Sequence, residues 1–258
     1  RRLARPPRRG STGLGLVPRR MALVGVTGAV VSDVFKCQDY VRLSVRNFYG
    51  VLRVKEYGTP GEPDHLRRLL HGTIMHGEQY LTGPARRDLT SYYQVTSGIG
   101  KAIAAKQSGG PIRVGVIGLG TGTLAGYGRK GDVFRFYDIN PAVVAIARNE
   151  FAYLGDSPAT IEIALGDARL TLEREAAEKF DVLAVDAFSS DAIPVHLITK
   201  EALEAYLRHM QPDGIVAFHV SNRFLNLGPV GGQTARPAGG WAGRGRGERG
   251  AGPRRTRP

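Results

Sequence analysis

Arg113-Val-Gly-Val-Ile-Gly-Leu-Gly-Thr-Gly-Thr123 decides the fold of this chain. Arg113 to Gly118 reads as a short apolar strand. Gly118, Gly120 and Gly122 then fall at alternate positions. A glycine-rich turn between strand and helix lets backbone approach a ligand closely and aims N–H groups at it. Any tight turn could use such a cluster, so its setting matters. Thr123–Arg129 reads as the start of a helix. Further on, 133–139 reads as a strand and 141–154 as a helix with proline in its first turn. The apolar face of that helix is Val144, Ala147, Phe151 and Leu154. Strands follow at 161–165 and 180–185, then a helix over 201–210 and a strand over 214–220. Strands alternating with helices predict an α/β fold with a parallel, doubly wound sheet. Ligands in such sheets sit at the carboxyl ends of the strands.

The residues at those strand ends are acidic. Asp138 closes the second strand, 20 residues after Gly118, where an acid can accept both ribose hydroxyls. The third glycine separates two nucleotide classes. Nicotinamide folds favour G-x-G-x-x-G, but position 123 is Thr and the third glycine is Gly122. G-x-G-x-G resembles the S-adenosylmethionine pattern, with a dehydrogenase-like or ligand-free turn as the alternative. The third strand ends in Gly166-Asp167-Ala168-Arg169. Asp167 suits an adenine amino group and suits equally the N-cap of the next helix; Ala168 is its neighbour at the nucleoside.

The fourth strand ends in Val185-Asp186-Ala-Phe-Ser-Ser-Asp191-Ala-Ile-Pro194, a loop placed to close over the site. Two carboxylates there suit a cationic amine, whose attacking nitrogen must also lose a proton. A free alkylammonium has a pKa near ~10.4, like Lys. A carboxylate that positions the amine and takes its proton is reasonable general-base chemistry. The alternatives are loop-capping for Asp186 and a solvated turn for Asp191.

Upstream, Val41, Leu43 and Val45 alternate with polar residues. Tyr49–Val54, a turn at Gly58-Thr-Pro-Gly61, and Leu69–Met75 continue a hairpin pattern. Thr90 or Ser91 is placed to cap a helix from Tyr93 to Ala105. Residues 1–39 then form a disordered basic segment, 40–90 a small β-strand domain, 91–230 a nucleotide-binding domain and 231–258 a disordered Gly/Arg-rich tail.

The net charge of +13 resembles a nucleic-acid signal, but its distribution argues against one. Residues 1–20 carry +7 and residues 231–258 carry +6, which leaves 21–230 neutral. Neither tail has the interleaved aromatics that stack bases, so no specific nucleic acid is expected. Cys37 stands alone, which rules out an internal disulfide and fits a reducing, cytoplasmic compartment. The longest apolar run, Met21–Val31, is too short for a bilayer, which needs ~20 residues. No Cys/His cluster has metal-ligand spacing. His71, His76, His196 and His219 read as hydrogen-bonded structural residues. Tyr92 and Tyr93 read as split between core and site, because adjacent helical residues face different directions. Arg169 and Arg223 read as surface residues.

Taken together, Arg46-Asn-Phe-Tyr-Gly-Val-Leu, Leu70-His-Gly-Thr-Ile-Met-His-Gly-Glu-Gln79, Thr90-Ser-Tyr-Tyr, the glycine turn, Gly166-Asp-Ala-Arg-Leu and Val185-Asp-Ala-Phe-Ser-Ser-Asp resemble the spermidine synthase family. The likeness is to its bacterial members, often fused to a membrane segment. It covers about 46–230. It implies a small β-hairpin domain before a Rossmann-like, S-adenosylmethionine-dependent methyltransferase fold, and aminopropyl transfer to a polyamine such as putrescine. Decarboxylated S-adenosylmethionine, or S-adenosylmethionine itself, is then a co-substrate and no cofactor is tightly bound. By the same resemblance Asp138 holds ribose and Asp167 adenine, Asp186 accepts the proton, and Asp191 is the second gate-loop acid. Gln79 and Tyr92 bind donor or amine, and family members dimerise through the β domain.

Three features depart from the family. Four residues, Ala187 to Ser190, separate the gate-loop acids where two are usual. The turn lacks the Asp of the richer G-G-G-D-G-G. The Gly/Arg tail replaces elements that complete the sheet and supply an amine-binding Tyr. A methyltransferase on the same sheet and a truncated, non-catalytic nucleoside-binding module are the alternatives.

Overall fold

The computed structural model describes residues 39–187 and 194–219. The chain divides into two units, Arg1–Val41 and Arg42–Pro258, and the described residues lie almost wholly in the second. Cys37, the Met21–Val31 run, Asp191, Arg223 and both basic tails lie outside the described residues.

Strands β1 (Val41–Asn47), β2 (Gly50–Tyr57), β3 (Leu66–His71) and β4 (Ile74–Tyr80) form a four-stranded sheet in sequence order. β2 pairs antiparallel with β3, and β3 with β4. In β1 the apolar Val41, Leu43 and Val45 are half-buried while the residues between them are exposed, the period-2 pattern of a one-sided sheet. The stretch 69–75, read as part of a hairpin pattern, turns back at Gly72-Thr73. Gly72 has φ 62°, the left-handed conformation that a two-residue hairpin loop requires.

The second sheet holds β5 (Arg113–Ile117), β6 (Val133–Asp138), β7 (Thr160–Leu165), β8 (Phe180–Val185) and β9 (Met210–Phe218). All its pairs are parallel and its order is β7-β6-β5-β8-β9. The chain runs outward from β5 to β7, then returns to the other side of β5. Loops leaving β5 and β8 therefore part in opposite directions and open a crevice at their carboxyl ends. Both faces of the sheet are covered, which is why its strands read as near-continuous apolar runs. Val114, Val116, Phe134, Phe136 and Val182 pack with Ala102 and Ile103 of α1 (Gly98–Gln107). On the other face Ile117, Leu183 and Val185 meet Leu172 of α4 (Ala168–Arg174) and Leu203 and Tyr206 of α5 (Lys200–Arg208). Leu52, Val54 and Leu69 of the antiparallel sheet share a third cluster with Ile146 and Phe151. That cluster fixes one sheet beside the other.

Local chemistry moves several helix boundaries from their expected places. α1 starts at Ser97, whose Oγ accepts from the Gly100 N–H at 3.1 Å. Thr90 instead donates to the Glu78 carbonyl at 2.5 Å, and Ser91–Tyr93 is a single 3-10 turn. Thr123–Tyr127 is also a 3-10 turn, not an α-helix, and the extended Gly128 ends it. Packing around this turn is close: a Cβ on Gly126 would lie 2.6 Å from the Leu89 side chain. The helix expected over 141–154 is two, α2 (Pro141–Glu150) and α3 (Tyr153–Asp156). Phe151 between them is extended and buries its ring. The Ala152 N–H turns to Gln79 Oε1 at 2.7 Å. The helix expected to reach Met210 ends at Arg208, because the buried His209 ring bonds the Glu178 N–H and the Leu172 carbonyl.

Candidate functional site

A cavity of about 160 Å3 lies at the carboxyl ends of β5, β6, β7 and β8. Gly118, Gly120, Asp138, Asp167, Ala168 and Asp186 line it, with Tyr92 and Pro194. The antiparallel sheet contributes Tyr49, Leu52, Leu69, His71 and His76. Three carboxylates thus face one space, and no Lys or Arg lines it among the described residues.

Gly118 and Gly120 have φ 100° and 55°. These are left-handed conformations that let the β5 loop run flat along the cavity. Gly122 differs. It has φ 80°, but its Cα faces the Leu154 side chain and does not line the cavity. Two of the three expected glycines therefore border the space, and the third serves close packing.

Asp138 is pinned by backbone. Its Oδ2 accepts from Leu119 N–H at 3.0 Å and its Oδ1 from Asn140 N–H at 2.8 Å. Burial raises its pKa, and the two N–H donors oppose that rise. A carboxylate accepts at about four sites, so capacity for two hydroxyls is left. Asp167 fulfils its alternative reading: Oδ1 caps α4 by accepting from Leu170 N–H at 3.0 Å. Its Oδ2 bonds His196 Nε2 at 2.9 Å, tying the far side of the β8 loop to the β7 end.

Asp186 is enclosed, with its side chain 6% exposed. Its Oδ2 accepts from Tyr92 Oη at 3.3 Å and from Tyr93 Oη. Its Oδ1 bonds His219 Nδ1 at 2.5 Å. Desolvation pushes its pKa up, and the His219 and Tyr92 contacts oppose that. Burial first, then the Asp186 charge, pushes the Tyr92 hydroxyl well above its ordinary value. That hydroxyl therefore keeps its proton and donates. The Tyr92 ring packs on Tyr93 and His219, with centroids at 4.4 and 4.0 Å. Tyr92 lines the cavity and Tyr93 packs against the core, the split expected of them, yet their hydroxyls converge. Their element is a 3-10 turn entered through Ser91 at φ 59°, and both hydroxyls reach one carboxylate.

Gln79 departs from its expected role. It is wholly buried away from the cavity lining. Its Nε2 donates to Arg86 O at 2.9 Å and its Oε1 accepts from Ala152 N–H. Asp191 lies outside the described residues.

Sequence reasoning read four histidines at the site, His71, His76, His196 and His219, as structural. His219 directly follows the fifth strand, at the same rim as the acids, and that position was the available signal. His71 Nε2 bonds the Tyr49 carbonyl at 2.9 Å. His76 Nε2 is buried and finds no partner among the described residues. Burial, aided by His71, lowers the His76 pKa to about 4, so the His76 ring is neutral at physiological pH. Among the described residues no cluster of His, Cys, Asp or Glu is placed to hold a metal ion. None of the described helices is long and apolar enough to cross a membrane.

No protein-family model matches the chain, and no curated protein matches it. Solved structures do. The spermidine synthase of Thermotoga maritima superposes with a TM-score of 0.54 at 19% identity, covering 76% of this chain and 62% of that one. A probable spermidine synthase of Corynebacterium glutamicum gives 0.56 at 16%, covering 68% and 62%. A spermidine synthase in complex with the transition-state analogue AdoDATO gives 0.55 at 19%, covering 76% and 63%. The chain spans less than two thirds of the length of each. At these identities the likeness is one of architecture: the chain has the fold of the spermidine synthases, an antiparallel sheet set before a parallel Rossmann-like sheet.

Proposed function

We propose that this chain is a spermidine synthase-like aminopropyltransferase, moving an aminopropyl group from decarboxylated S-adenosylmethionine to a polyamine such as putrescine. One observation carries the reading: Asp138, Asp167 and Asp186 line a single cavity that no described Lys or Arg lines. A donor that keeps its α-carboxylate meets three carboxylates and no described Lys or Arg there. The decarboxylated donor and a polyamine are both cations. The same charge balance weighs against methyl transfer from S-adenosylmethionine.

In this reading the Gly118–Gly120 loop lies along the nucleoside, Asp138 takes the ribose hydroxyls and Asp167 the adenine amino group. Asp167 then shares its second oxygen between adenine and His196. The amine sits against Asp186 and Tyr92, with Asp191 as the second gate-loop acid. The nitrogen lone pair attacks the methylene beside the sulfonium. A C–N bond forms as the C–S bond breaks, its electron pair stays on sulfur, and neutral methylthioadenosine leaves. That lone pair is freed when the ammonium nitrogen first gives one proton to Asp186, and the product nitrogen stays a secondary ammonium. Confinement of both reactants supplies much of the acceleration.

The test is incubation with the decarboxylated donor and a panel of diamines, assayed for methylthioadenosine. Release that depends on a diamine is the expected result. Tighter binding of S-adenosylmethionine than of the decarboxylated donor, with no release, would move the assignment to methyl transfer.

A further inference from the structure

His219 does not border the cavity, yet it contacts Asp186 directly, Nδ1 to Oδ1 at 2.5 Å. The two residues are far apart in sequence. β8 ends one residue before Asp186 and β9 ends one residue before His219. Their in-register pairing of Val185 with Phe218, continued by the His219 N–H to Val185 O bond at 2.9 Å, brings them together. The ring is then fixed by the face of Tyr92. Asp186 thus has three donors around it, Tyr92 and Tyr93 on Oδ2 and His219 on Oδ1. All three stabilise the anion, in a pocket where burial favours the neutral acid.

We infer that His219 is a positioning residue: as an Nδ1–H donor it fixes the Asp186 carboxylate in orientation and keeps it anionic, ready for the cationic amine. The inference deepens the aminopropyltransferase reading and rests on it only for its kinetic arm. Three donors occupy three of about four acceptor sites on a carboxylate. The remaining site lies on Oδ1, the oxygen that His219 orients, so His219 sets the direction from which one N–H of the amine is received. Donation through Nδ1 also selects the tautomer of the neutral ring. The titratable groups facing Asp186 are Tyr92 and Tyr93 from the 3-10 turn and His219 from the end of β9. The β5 loop presents the backbone of Gly118.

Two measurements on the full chain test this. Nitrogen-15 NMR of the imidazole rings should show His219 as the Nδ1–H tautomer with a strongly deshielded proton, and Asp186→Asn should abolish that signal. Absence of the signal in the wild type overturns the inference, whether or not the protein turns over any amine. The second measurement is the pH profile of methylthioadenosine release for His219→Ala and His219→Asn, both checked for folding by thermal melts. Loss of the donor should move the acid limb of the Ala variant up by about one pH unit, a tenfold loss of rate on that limb. Asn places an amide N–H near the position of Nδ1 and should restore most of it. A wild-type acid limb in the Ala variant also overturns the inference. If the wild type releases no methylthioadenosine with any diamine, the functional reading fails while the NMR result still decides the role of His219.

Discussion

A Cβ built on Gly118 would lie 2.5 Å from the carbonyl oxygen of Asp186, so the loops leaving β5 and β8 touch backbone to backbone. This contact closes the base of the crevice. Gly118→Ala meets both that clash and a φ of 100°. Strain and overpacking together should cost about 3 kcal/mol. Thermal melts and methylthioadenosine calorimetry should show a less stable protein with weakened nucleoside binding. A variant that melts and binds like the wild type would show that the two loops separate easily.

Asp186→Asn should lower methylthioadenosine release by at least about 100-fold while leaving nucleoside affinity nearly unchanged. Equal loss of both would contradict a role in proton acceptance. The same variant makes a prediction about stability. Burial raises the folded-state pKa of Asp186. A raised acid contributes stability that is fully present below the ordinary carboxylate range and lost as pH rises through the folded value. Lowering the pH should therefore shift the stability difference between the two proteins toward the wild type. Urea titrations at several pH values would read this.

His76 gives the opposite dependence. Its pKa falls from 6.5 to about 4 in the fold. Between those values the unfolded chain binds a proton that the folded chain refuses, so stability present above 6.5 is lost through this window. The full effect is about 3 kcal/mol. His76→Leu should flatten acid denaturation there, and an unchanged curve would mean that the ring is hydrated in the folded protein.

Gln79→Leu should destabilise the chain by about 2 kcal/mol, because it leaves the Ala152 N–H and the Arg86 carbonyl unpaired. Nucleoside affinity per folded molecule should not change. A selective loss of affinity would return Gln79 to the ligand site.

The parallel sheet was legible because its signals are local. Apolar runs, glycine spacing and acids at strand ends are properties of short windows, and Asp138, Asp167 and Asp186 followed from them. Features that depend on contacts between distant segments were not legible. Phe151 breaks a helix whose pattern continues, because Gln79 captures the next N–H across 73 residues. Ser97 displaced Thr90 as a cap because Thr90 is drawn to the Glu78 carbonyl. His219 joins Asp186 only through strand register, which no window of sequence contains.

Ser91 holds a left-handed backbone, with φ 59°. A non-glycine residue in that conformation stores roughly 1–2 kcal/mol. Folding supplies this energy in advance, so an arriving substrate need not spend affinity on herding two phenols toward a shared oxygen. Relaxing the backbone by Ser91→Gly would therefore give a sturdier chain with a looser catalytic corner. Stability and readiness are set against each other at a single dihedral angle.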